Sequence, residues 1–309
     1  MTLGIAAHGP QAGAAIHQAV VAAELLGHGE IGGFVVFSVI DTAGHIQQCS
    51  VQQGGITALN LPADWLAASQ AAVITSGPQR PEPLTQFLPG RHGAGLVTGH
   101  RLPNRPDMHT GWPLNTSALG LMAAGMHPQA AVDELLKANP QADAGLIAIN
   151  PQGQIGCANS ARVAQRPDAG QARWHDAQAG FALLHNAIYA GDDLAACLGS
   201  MLRAALQPNA ANTASHQLLA LTSEATVEIA ASDAVHVDAQ WHVQRVASAD
   251  PFMAQATQNI TLLPLATPVL HNGRLVGHMA TELFAEVAYG IARPSAIAKP
   301  NLALVRRLI

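Results

Sequence analysis

The chain has 309 residues, 49% of them hydrophobic and 11% charged, which is enough length and apolar content for one large or two moderate cores. The formal charge of −5 is mild and the 15 lysines and arginines are scattered, so no basic run tracks phosphates and no nucleic-acid partner is expected. Uninterrupted apolar runs fall short of a membrane span, and the start MTLGIAAHGP lacks the basic opening of a secretory signal, so the expectation is a cytoplasmic protein with no membrane partner.

In chain order, TLGIAAHG reads as a strand that begins at the second residue, broken by Gly9-Pro10 before a small-residue helix from Ala12 to Leu26. A glycine-rich joint leads into FVVFSVI, apolar at six of seven positions as a doubly buried strand is. Asp41-Thr-Ala-Gly44 turns the chain back into HIQQCSVQQ. A helical segment is predicted around Ala63 to Ala71, followed by the strand AAVITS. From Ser76 to Trp112 the composition shifts to six prolines, six glycines, four arginines and three histidines, with only GLVT resembling a strand. A long irregular segment within a compact protein is usually functional or disordered, and its aromatic residues favour order.

The stretch from Gly111 to Ser160 is the clearest in the chain. Leu119, Met122 and Met126 recur at the helical period, Gly125 can close that helix in a left-handed cap, and Pro128 suits a first helical turn. The second helix buries Val132, Leu135 and Leu136 and stops at Asn139-Pro140. LIAI, the turn Asn150-Pro-Gln-Gly153 and QIGCANS then form a hairpin that faintly echoes IDTAGHIQQCS. Asn115, Thr116 and Ser117 precede the first of these helices and read as its cap. Ala161 to Gln178 is a polar connection, GFALLHNAIYA a strand, and Asp192 or Asp193 opens a helix through Leu206. The region from about 215 to 290 is rich in strand patterns, with His271-Asn-Gly-Arg274 a hairpin turn, and a final helix is predicted in NLALVRRLI.

Together these pieces make an α/β (α+β) protein of antiparallel hairpins and paired helices, with a layered αββα sandwich as the leading architecture. The expected division is a first domain over 1–210 and a strand-rich C-terminal extension over 211–309, either separate or part of the same domain. Cys49, Cys157 and Cys197 are an odd number at wide spacing, which argues for buried thiols over disulfides or a zinc knuckle. No phosphate-binding loop or dinucleotide fingerprint is present, so no cofactor is expected.

Polar groups worth weighing fall in two places. His100, Arg101, Asn104, Arg105 and His109 lie in the irregular segment, where arginine could clamp a substrate carboxylate and histidine or asparagine could donate. His185 and Asn186 interrupt an apolar strand, and a buried polar pair must be hydrogen-bonded, either within the core or to substrate. Ser76, before Gly77-Pro78, reads as a turn residue. His8 ends the first strand, too far along it to reach Thr2.

The segment ALGLMAAGMHPQAAVDELLKANPQADAGLIAINPQGQIGCANS resembles one in N-terminal-nucleophile hydrolases of the isoaspartyl-peptidase and asparaginase kind. It is still more similar to an uncharacterised bacterial family assigned to that fold, whose members begin Met-Thr-hydrophobic and whose later strand and helix resemble GFALLHNAIYAGDDLAACLGSMLRAAL. The resemblance runs over residues 1 to 206 and is specific in the central fifty. It implies a hydrolase in which a Thr, Ser or Cys attacks an amide while its own α-amine serves as base. Thr2 fits that role once Met1 is removed. The asparaginase pattern of internal cleavage before a strand-opening Thr is not met: Phe34 follows Gly33, and Thr98 lies at the end of its run. One uncut chain is therefore expected, acting on a small amide or peptide-like substrate and possibly paired as a homodimer.

Two other readings stand beside this one. A non-catalytic member of the fold could bind a small molecule or a protein. A metal-dependent hydrolase would draw on the 15 histidines, but the nearest groupings, His100 with Asp107 and His109 and His175 with Asp176 and His185, lack ligand spacing, so no metal ligand is assigned.

Overall fold

The computed structural model describes residues 1–28, 31–190, 193–207, 213–296 and 301–308, and divides into two compact units, Met1–Asn212 and Thr213–Ile309. The elements of the first unit are β1 (Thr2–His8), α1 (Ala12–Leu26), β2 (Phe34–Ile40), β3 (Ile46–Gln52), α2 (Ala63–Leu66), β4 (Gln70–Ser76), β5 (Gly90–Arg91) and β6 (Gly95–His100). They continue through α3 (Leu114–Ala123), α4 (Pro128–Ala138), β7 (Gly145–Ile149), β8 (Ile155–Asn159), α5 (Ala161–Ala164), β9 (Ala169–His175), β10 (Gly180–Asn186) and α6 (Leu194–Leu206).

Two antiparallel sheets result, one of six strands in the order β3-β2-β4-β1-β10-β9 and one of four in the order β5-β6-β7-β8. Strand β1 is paired on both sides along its whole length, with β4 and with β10. Its side chains alternate between two environments, as the period of two requires. Ala6 joins Phe34, Ile74, Leu96 and Ile147 in the apolar layer between the sheets, so Leu3, Ile5 and Ala7 face the other way, toward the side where α1 and α6 pack. Helices α3 and α4 cover the far side of the four-stranded sheet, burying Leu114, Leu119, Val132 and Leu136 against Val97 and Leu146. At the Thr2 end the sheets come close because Gly4 and Gly99 meet: a Cβ on Gly4 would collide with the Gly99 carbonyl.

Local chemistry explains the element ends. Gly125, at φ 93°, follows α3, with its N–H bonded to Met122 O and that of Met126 to Leu121 O, the paired bonds of a left-handed helix stop. Pro128 opens α4 behind a His127 side-chain cap, and Asp193 caps α6 through the Ala196 N–H. The two echoing hairpins share one turn: Asp41 Oδ1 accepts from the N–H groups of Ala43 and His45, and Asn150 Oδ1 from those of Gln152 and Gln154. The side-chain oxygen, two and four residues ahead of these amides, fixes the hairpin.

The second unit holds β11 (His216–Ala220), β12 (Ala225–Ile229), β13 (Ala234–Val237), β14 (Val243–Ser248), α7 (Pro251–Gln255), β15 (Thr257–Leu263), β16 (Pro268–His271), β17 (Arg274–Met279), β18 (Leu283–Ala288), β19 (Ile291–Arg293) and β20 (Leu302–Arg307). These strands make one curled ten-stranded sheet, ordered β11-β20-β17-β16-β13-β14-β12-β19-β18-β15, around a core that includes Leu219, Val235, Leu262 and Val305. No helix among the described residues is long and apolar enough to cross a membrane.

Several local expectations are corrected. The predicted final helix is strand β20, because its alternatives for burial are set by pairing with β11 and β17, and sheet context overrides propensity. The connection from Ala161 to Gln178 contains β9, whose Ala-Gly-Gln-Ala-Arg-Trp-His reads as polar because Gln171, Arg173 and His175 are exposed. The helix around Ala63 is one turn, and Ala71 already belongs to β4. The strand GFALLHNAIYA stops at Asn186, where Ala187 takes φ 50°. Strand β6 runs two residues beyond Thr98. Asn115 is buried inside α3 and donates to Gln86 O, so it does not cap that helix. Asp192 lies outside the described residues.

Candidate functional site

The first rung of β1 brings together groups from three distant segments. Thr2 pairs with Ser76 on β4 and with Asn186 on β10, and all three side chains lie on the face turned to the second sheet. Thr2 is 6% exposed; its hydroxyl donates to Ser76 Oγ at 3.5 Å. Ser76 Oγ in turn donates to Met1 O at 2.7 Å and accepts from Arg80 Nη2 at 3.1 Å. Arg80 makes no ion pair among the described residues, and partial burial lowers its pKa from the ordinary value.

On the other side of Thr2, Asn186 reaches across to the second sheet. His100, at 0% exposure, holds Asn186 Oδ1 at 3.3 Å through Nδ1 and Asn159 Oδ1 at 2.7 Å through Nε2. Burial drives the His100 imidazole down to about 4, against the two amide hydrogen bonds that favour its charged form, while the nearby His185 and Arg101 charges lower it further. At neutral pH the ring is therefore uncharged. A neutral imidazole donates from one nitrogen and accepts at the other, so one of the two amides turns its nitrogen to the ring.

The other residues singled out in the sequence are dispersed. Arg101 makes a two-pronged ion pair with Asp143, Nε to Oδ1 and Nη2 to Oδ2, and the guanidinium holds the Asp143 carboxyl below the usual range. Its charge is thus engaged within the fold. Asn104 Nδ2 donates to Gln86 Oε1 at 3.4 Å, and Arg105 is exposed, tied to the fold through its backbone. His109 lines a cavity of about 850 Å³ between α3, α4 and the 107–112 loop, together with Trp112, Ser117 and Glu134. His185 neighbours Asn186 in sequence but faces the opposite side of the sheet; its Nδ1 is buried without a partner among the described residues. His8 sits at the far end of β1 against Gly153, roughly 20 Å from Thr2 at the usual strand rise.

Ser76, Arg80 and Asn159 were not singled out as functional by the sequence. Ser76 is the last residue of β4, and its role rests on a pairing that spans 74 positions, for which no local pattern exists. Among the described residues no group of three or more His, Cys, Asp or Glu side chains is arranged to hold a metal ion. The three cysteines are free thiols, and burial pushes Cys49 up to about 11 and Cys157 up to about 12, so neither is an activated nucleophile.

Residues 2–215 match a family described as a domain of unknown function (DUF6963). The chain belongs to this family. The match starts at Thr2 and takes in every residue of the Thr2, Ser76, Arg80, His100, Asn159 and Asn186 cluster. Residues 225–296 match a second domain of unknown function (DUF7259). No curated protein matches the chain.

Proposed function

We propose that the protein is a cytoplasmic amide hydrolase of the N-terminal-nucleophile kind, built on an αββα sandwich and using Thr2 after removal of Met1. The observation that carries this reading is the position of Thr2: first residue of a central strand, turned into the space between the sheets, beside a buried hydroxyl, a guanidinium without a carboxylate partner, and an amide held by a neutral histidine. Removing Met1 would free the Thr2 nitrogen as an α-amine and take away the carbonyl that now accepts from Ser76.

In the proposed reaction the Thr2 oxygen bonds to the amide carbon as its proton passes to the α-amine. The carbon–nitrogen bond then breaks, the leaving nitrogen takes that proton, and water releases the acyl group from the Thr2 ester. Arg80 and Asn186 are the donors the cluster offers to the oxyanion. The test combines intact mass with activity: loss of Met1 from the purified protein, together with hydrolysis of a panel of short amides that Thr2→Ala abolishes, supports the reading. Retained Met1, or unchanged hydrolysis in T2A, overturns it.

One observation favours a non-catalytic, ligand-binding reading. The cavity of about 850 Å³ beside Trp112 is of ligand size and is not lined by Thr2. Binding of small molecules there that T2A leaves intact, with no hydrolysis by either protein, would support that alternative.

A further inference from the structure

The sandwich ends on one side with two strand edges, β8 of the four-stranded sheet and β9 of the six-stranded sheet. They are finished differently. On β8 the amide of Gln129 imitates a neighbouring strand: Cys157 N–H donates to Gln129 Oε1 at 3.0 Å, and Gln129 Nε2 donates to Cys157 O at 3.4 Å. On β9, no group among the described residues hydrogen-bonds to the outer edge of residues 170–174. An uncapped edge is a template for another strand.

Between the two edges lie adjoining cavities of about 530 and 460 Å³, both walled by Cys157 and Arg173. Arg173 pairs with Ala182, which belongs to the layer between the sheets, so the arginine sits on the inner face of β9 and is exposed there with Gln171 and His175. Among the described residues its charge has no carboxylate partner. The acids nearby are already engaged: Asp168 by Arg166, and Asp176 by the Gln178 and Ala179 N–H groups and by Gln207 Nε2.

We infer that the β9 edge binds an extended acidic peptide segment as an added strand, with an Asp or Glu side chain of the peptide paired to Arg173 in the groove. Backbone hydrogen bonds to β9 supply sequence-independent affinity, and the free guanidinium selects the acidic side chain. The alternation of a strand then puts every second peptide side chain into the groove. This inference does not depend on Thr2 being a nucleophile.

The probe is a fluorescein-labelled heptapeptide of alternating Thr and Glu, titrated by anisotropy into the full chain and compared with its Thr/Gln and Thr/Lys counterparts. The Glu peptide is expected to bind about tenfold or more tightly than either, Arg173→Gln to erase that preference, and T2A to leave it unchanged. A Glu peptide with N-methyl groups on alternate amides is expected to lose binding, and amide exchange across 170–174 to slow when the unmodified peptide is present. Equal affinity for the Glu and Gln peptides, absence of binding, or an R173Q variant that retains the preference for the Glu peptide would overturn the inference.

Discussion

Two adjacent rungs of the same three strands carry opposite chemistry. In the rung Ser76–Thr2–Asn186 the polar side chains face the second sheet and are hydrogen-bonded, to Met1, Arg80 and His100. In the next, Thr75–Leu3–His185, the side chains face the helices, and both Thr75 Oγ1 and His185 Nδ1 are buried without partners among the described residues. One residue of register separates a connected polar network from two stranded groups. The difference shows why His185 and Asn186, neighbours in sequence, cannot act as a pair: a strand sends them to opposite faces.

The largest effect expected from breaking the first rung is on chemistry. Thr2→Ala should lower amide hydrolysis by at least about 10³-fold with little change in thermal midpoint, measured by steady-state kinetics and calorimetry. Next is stability. His100→Ala removes a fully buried ring and leaves Asn159 and Asn186 facing a cavity, so denaturant unfolding should show a loss of about 3 kcal/mol.

The same histidine sets a pH dependence. Its folded pKa of about 4 lies below the ordinary 6.5, so protons favour the unfolded chain. The stability it contributes is complete above pH 6.5 and is lost as pH falls toward 4, by about 3 kcal/mol. His185, lowered mainly by its burial, adds to the fall in the acid direction. Urea midpoints from pH 7 to 4 should decline in the wild type and decline much less in His100→Gln.

The smallest effects sharpen the contrast between rungs. Ser76→Ala should destabilise by about 1–2 kcal/mol, because the Thr2 hydroxyl and Arg80 lose a buried partner. Thr75→Val should stabilise by about 0.5–1 kcal/mol, because it removes a buried hydroxyl with no partner among the described residues while keeping its shape. If both substitutions shift the urea midpoint in the same direction, the two rungs do not differ as described.

Much of the first unit was legible in the sequence where one local rule decides an element. The 15-residue helix α1 begins and ends at its predicted bounds, Gly125 and Pro128 mark the break between α3 and α4, and β2 is apolar because both its faces are covered. Strand β9 resembles a linker in sequence because its inner face has no cover, so Gly170, Ala172 and Trp174 alternate with the polar Gln171, Arg173 and His175. Strand β20 was missed because a short apolar run fits a helix or a strand equally until its partners are known. The cluster at Thr2 was only half legible. Thr2, His100 and Asn186 carry chemistry that invites attention, whereas Ser76, Arg80 and Asn159 gain theirs from register and from the close approach of two sheets at Gly4 and Gly99.

The most direct measurement is labelling of the purified full chain with an electrophilic β-lactone, followed by peptide mapping. The expected result is a chain lacking Met1 that carries one adduct, on residue 2, and no adduct in T2A. Labelling that falls on any other residue, or a wild-type chain that keeps Met1 and takes up no label, would contradict it.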